Sequence, residues 1–238
     1  MWMGMDKGAA REAFEGTLPW LRPTGAVAAE ALAALDRPLG FWMQDPELDW
    51  FDSAAHYAEY EDEPGGLSRL EKKIAQLPAR PLWEMERVWL PDTESSPEDD
   101  EAYADACVTI AGRLLHPRCL DAYVSIAYNL ADLRDEDDGV DAEACSPGLD
   151  VVAGDLDAAL EWAGAGVCVL QQSMPFPFRD VLPYGEIDNR SAHRVLFAYA
   201  SLLRLKHPRK AAPWFTALVY ANPMDNLGAR FLAPHGPR

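Results

Sequence analysis

Basic residues are the first shortage in this chain. Only 21 Lys and Arg stand against 39 Asp and Glu in 238 residues, a formal charge of −18. A surface of that sign repels phosphate backbones and anionic lipid headgroups unless a basic face is set apart from the rest. Nucleic acid and membrane are therefore not expected partners. Cysteine is scarce as well. Cys107, Cys119, Cys145 and Cys168 lie far apart with no C-x-x-C pair, which removes the spacing of a zinc site or a disulfide framework and suits buried thiols in a reducing compartment. Long apolar runs are missing too. The longest, Ala163 to Leu170, falls far short of the roughly 20 residues that cross a bilayer. The opening MWMGMDKGAAREAF lacks the basic-then-apolar order of a signal peptide. These absences point to a cytoplasmic protein with neither metal nor cofactor.

What is present favours helix. Apolar residues make up 49% of the chain, ample for a core, and Ala and Leu outweigh the β-branched residues in most segments. Thr24 is placed to cap a helix through Ala28, Ala31, Leu32 and Leu35. Asp45-Pro46-Glu47 opens another that carries Trp50 and Phe51, and Ser68-x-x-Glu71 is a capping box. A polar linker from Pro91 to Asp100 separates residues 1–95, a mostly helical region, from residues 96–238. Ser96-Pro97-Glu98-Asp99 then starts a helix expected to run through Ala106, Ile110, Ala111 and Leu114 to His116-Pro117. The next covers Cys119 to Leu130, and helicity resumes at Gly154. Two insertions interrupt the pattern: an acidic loop at 132–148 and a proline-rich strap at 171–188.

The clearest periodicity is near the C-terminus. Val195, Leu196, Tyr199, Leu202 and Leu203 recur at helical spacing, and a basic joint, Lys206-His207-Pro208-Arg209-Lys210, opens a second run with Ala211, Trp214, Phe215 and Leu218. Asn222-Pro223 ends that run, and 224–233 reads as a closing helix. Two antiparallel helices with a tight turn and a proline stop make one unit of a helical repeat.

These residues resemble the tetratricopeptide repeat family. Ala211-x-x-x-Phe215 followed by Pro223 matches its second-helix signature, and NPMDNLGAR at 222–230 resembles a terminal motif of bacterial repeat proteins of this kind. Gly154 to Leu160 and Ala127 with Leu130 resemble weaker units. The resemblance covers roughly the C-terminal 140 residues. It implies an all-α fold of antiparallel helix pairs in a short, degenerate right-handed array, with the N-terminal region packed on it. The roles it carries over are structural: Ala211 and Phe215 for packing, Pro223 as terminator, Asp225 as cap.

Motifs for chemistry fail when tested. An EF-hand register on Gly139 puts Arg134 and Cys145 at ligand positions. Gly164-Ala165-Gly166 lacks the third glycine and preceding strand of a phosphate loop. His193, beside Glu186, Asp188, Asn189, Arg190 and Arg194, could belong to an acid–base pair, but capping and surface pairing explain that cluster better. No catalytic residue is expected. The expected function is a scaffold or adaptor module that binds a peptide or protein on the first-helix face, through Asp121, Val124 and Tyr128 and through His193, Leu196 and Arg204. The net charge suits a basic partner. Two other readings stand beside it. One is a small-ligand binder or enzyme with a pocket lined by Phe41-Trp42, Trp50-Phe51, Trp83 and Trp89. The other is an acidic immunity or inhibitor protein.

Overall fold

The computed structural model describes residues 19–36, 95–132, 154–174, 182, 184, 187–222 and 225–233. Helix accounts for 67% of them, so the protein is mostly helical. The expected elements at Trp50, Ser68, Trp83 and Trp89, and the acidic loop after Asp132, lie outside these residues, as does Pro223. The described parts of Leu21–Asp36 and Val88–Val169 form one compact unit, and those of Leu170–Arg238 belong to another.

In the first unit, α1 (Ala26–Ala33) buries Val27, Ala28 and Ala31. Its N-cap is Gly25, one residue later than the expected Thr24, and no side chain of its own caps it. The reason is conformational. Residue 25 sits at φ 88° and ψ 168°, a region open essentially to glycine alone. Glu161 compensates from elsewhere, its Oε1 accepting from Val27 N at 3.4 Å. α2 (Pro97–Ala106) starts as the sequence predicts. Ser96 Oγ accepts from Asp99 N at 3.1 Å, Pro97 fills the first turn, and Glu98, Asp99 and Asp100 face the positive helix end.

The expected continuation of α2 to His116 is not found. The helix stops at Ala106, and a hairpin follows, β1 (Val108–Ile110) paired antiparallel with β2 (Arg113–Leu115). Ala106, Ile110 and Leu114 do repeat every four residues, but Val108-Thr109-Ile110 is a β-branched run and Ala111-Gly112 a two-residue turn. Both turn residues have positive φ, 45° and 77°, as a hairpin turn of this length requires. Ala111 N donates to Glu30 Oε2 at 2.6 Å, which ties the turn to α1.

α3 (Leu120–Ala131) follows directly, and Tyr123 Oη donates to Pro117 O at 2.9 Å behind it. Asp155 Oδ1 accepts from Ala158 N at 2.9 Å and so caps α4 (Leu156–Gln171). From Trp162 onward α4 is buried on every side, which its Ala-Gly-Ala-Gly composition permits by presenting little side-chain bulk. The Gly164–Gly166 stretch is thus interior helix.

In the second unit a 3₁₀ turn (Ile187–Asn189) leads into α5 (Arg190–Lys206), and α6 (Pro208–Ala221) begins after a single intervening residue, His207. Tyr199 meets Trp214 edge-on at 5.1 Å and Phe197 meets Phe215 at 6.0 Å. Contacts that advance on one helix while receding on the other make the pair antiparallel. Pro213 lies inside α6 on its exposed side, where the carbonyl it cannot serve meets water. The closing helix expected over 224–233 is only a 3₁₀ turn (Ala229–Phe231), introduced by Asp225 and Gly228 at positive φ. Asp225 Oδ1 accepts from Ala229 N at 2.6 Å.

Candidate functional site

Polar chemistry in the second unit gathers around the start of α5. Leu182, fully buried, donates its N–H to Ala221 O at 2.7 Å, supplying one of the carbonyls that a helix end leaves open. Its own carbonyl oxygen lies 2.6 Å from His193 Nε2. A carbonyl can only accept, so Nε2 carries the proton and Nδ1 holds a lone pair. Nδ1 is buried with no hydrogen-bond partner. Burial pushes the His193 pKa down to about 4, partly offset by the Leu182 hydrogen bond and reinforced by the Arg194 charge. At neutral pH the ring is uncharged. Tyr184 completes the arrangement, its ring 5.6 Å from the imidazole and its carbonyl accepting from Arg190 Nε at 3.2 Å. The Arg190 guanidinium also lies 5.1 Å above the Tyr184 ring. Arg190, His193 and Ala221 thus hold Leu182 and Tyr184 at the beginning of α5 and the end of α6.

The first unit holds a second group, where the hairpin delivers the chain to α3. Tyr103 on α2 shares a side-chain hydrogen bond with Cys119, and its ring lies 5.6 Å from that of His116, tilted by 39°. His116 Nδ1 accepts from Arg118 N at 3.1 Å. Burial raises the Cys119 thiol to about 11, raises the Tyr103 phenol further, and lowers the His116 imidazole. Each shift favours the neutral form. A protonated thiol is a poor nucleophile, so what this cluster offers at neutral pH is packing and hydrogen bonding.

The six residues expected to face a partner fall into two classes. Val124, His193 and Leu196 are buried, and His193 is fully so; they belong to the packing and present no surface. Asp121, Tyr128 and Arg204 are partly accessible. The helical period places residues on a common face but does not say which face turns inward. On α3 the accessible line is Asp121, Ser125 and Tyr128, with Leu120, Tyr123, Val124 and Ala127 on the buried side. On α5 it is Arg190, Arg194, Phe197 and Arg204. The α3 residues lie in one compact unit and the α5 residues in the other. Tyr103, His116 and Cys119 had a readable trace in the sequence, the His116-x-x-Cys119 spacing at the threshold of a helix. Their partnership depends on the hairpin.

Among the described residues no three His, Cys, Asp or Glu side chains come together as a metal site, and no helix is long and apolar enough to cross a membrane. No family model, curated protein or solved structure matches the chain.

Proposed function

We propose that this protein is a cytoplasmic adaptor or scaffold module of tetratricopeptide-like design, and that the accessible face of α3 holds a peptide or protein partner. The observation that carries the reading is the Asp121–Ser125–Tyr128 line. It sets one aromatic ring and one carboxylate, two helical turns apart, on a helix whose other side is buried. A half-buried tyrosine offers a rigid apolar surface with a hydroxyl at its tip, a combination common at the centres of protein interfaces. Burial raises the Tyr128 phenol to about 12, so the hydroxyl stays protonated and can donate. Asp121 and the net charge of −18 suit a basic partner by steering it in. Support for the repeat reading comes from the antiparallel α5–α6 pair, in which Ala211 and Phe215 are buried as packing residues. The module acts by binding and not by catalysis.

The test is site-directed photo-crosslinking in the native host, with a photoreactive amino acid at Ser125 and, as control, at Asp105 on exposed α2. A partner captured from position 125 alone, and lost when Asp121→Lys and Tyr128→Ala are added, is the expected result. Capture that persists in the Asp121→Lys/Tyr128→Ala protein would remove α3 as the binding face.

A further inference from the structure

The acid excess of this chain is not evenly spread. From Asn189 to Met224 there is no Asp or Glu, yet that stretch holds Arg190, Arg194, Arg204, Lys206, Arg209 and Lys210. The remainder keeps 15 Lys and Arg against 39 acids, a formal −24. Three of the six cations are gathered at one tip. α5 ends at Lys206, α6 begins at Pro208, and Lys206, His207, Arg209 and Lys210 are all exposed, beside Leu205 at 38% exposure. The first turn of a helix already carries partial positive charge, and Arg209 and Lys210 add to it there. Cations stabilise the opposite end of a helix, as Lys206 does in the last turn of α5, so the placement of Arg209 and Lys210 costs stability within the chain. A counter-charge brought from outside would recover that cost.

We infer that the α5–α6 tip is a docking surface for an acidic protein segment, a short run of Asp and Glu with an apolar residue to meet Leu205. Charge complementarity selects the anion, and the size of the tip selects its form. Nucleic acid and anionic membranes are extended, and duplex DNA presents about one charge per 1.7 Å. A ligand of that extent would be repelled by the −24 of the remainder, whereas a few carboxylates need engage only charges within about 8 Å, the screening length at physiological salt. Among the described residues the tip also presents no exposed Trp, Tyr or Phe ring for bases to stack on, since Trp214, Phe215 and Tyr199 are buried. The surface goes beyond the proposed α3 face and is opposite in sign.

The experiment is fluorescence anisotropy on the full chain with labelled oligo-glutamate, run beside single-stranded DNA, duplex DNA and phosphatidylserine vesicles. Oligo-glutamate should bind, and binding should weaken about tenfold between roughly 0.05 and 0.3 M salt. Lys206→Glu/Arg209→Glu/Lys210→Glu should reduce it at least about tenfold, while Asp105→Asn on exposed α2 leaves it unchanged. Single variants Arg209→Gln and Lys210→Gln, each expected to weaken binding about threefold, carry the test if the triple variant does not fold. The inference is overturned if oligo-glutamate does not bind, if the Glu or Gln variants bind it undiminished, or if DNA or vesicles bind as tightly through the same residues.

Discussion

Glu161, on α4, caps a helix that begins 135 residues earlier, its Oε1 accepting from Val27 N in the first turn of α1. The cap and the glycine beside it depend on one another. A Cβ at position 25 would collide with the Glu161 carboxylate, and the backbone there occupies a region that side-chain-bearing residues avoid. Gly25→Ala should therefore destabilise the protein by about 1–3 kcal/mol. Glu161→Ala, which removes only an exposed charge-assisted cap, should cost under about 1 kcal/mol. Urea unfolding of both variants gives the comparison, and equal losses would mean that Gly25 is not strained.

Stability should also depend on pH through His193. Its folded pKa of about 4 lies below the roughly 6.5 of a free imidazole. Between those values the unfolded chain takes up a proton that the folded chain refuses, so stability is full above about pH 6.5 and declines as pH falls towards 4. The loss reaches about 3 kcal/mol at the lower limit. His193→Gln should abolish this part of the slope, which unfolding midpoints from pH 4 to 7 in the two proteins would reveal. Parallel slopes would show that the imidazole is not buried in its neutral form.

The ends of the acidic segment between α3 and α4 are fastened together. Asp155 N donates to Leu130 O at 2.8 Å, and Gly154 lies so close to the Ala131 backbone that a Cβ there would overlap it. Read as the loop that its acidic composition predicts, segment 133–153 should be replaceable by a short Gly-Ser linker with a change in stability of no more than about 1 kcal/mol, because loop length enters the closure entropy only logarithmically. Gly154→Ala should cost more, about 1–3 kcal/mol, since backbone cannot yield as a flexible side chain does. Thermal melts of the two variants would rank them, and the reverse order would contradict the close approach.

Thiol labelling should follow burial. Cys119 and Cys168 are buried and held up at about 11, while Cys107 is partly accessible with a smaller upward shift. Iodoacetamide at neutral pH should modify Cys107 well before the other two, with the order read by peptide mass spectrometry. Urea should erase the difference. Early modification of Cys119 in the folded protein would mean that the Tyr103 contact opens readily.

The α5–α6 pair was legible in the sequence because its apolar period is long, and because His207-Pro208 breaks it at one point. The hairpin was not, since Ala106, Ile110 and Leu114 imitate a helical repeat over the nine residues in which Val108-Thr109-Ile110 and Gly112 favour strands and a turn. Local propensity decided there, and the four-residue spacing was coincidence. Gly25 shows the converse: a capping threonine stood next to it, but Glu161 replaced that cap from a distance no local pattern records. The candidate site was legible only as far as the α3 and α5 faces. Which side of each turned inward depended on Leu182 and Tyr184 against His193 and on the packing around Val124.

The Leu182 bridge gives the α5–α6 pair a second attachment. The helices are joined covalently at His207, and the Leu182 backbone ties the last carbonyl of α6 to an imidazole near the start of α5. The pair is therefore a closed circuit, and cutting it once does not open it. Trypsin acting at the exposed Lys206–His207 bond would leave two fragments still clasped at the opposite end. They would migrate as one species under native conditions and separate only in denaturant.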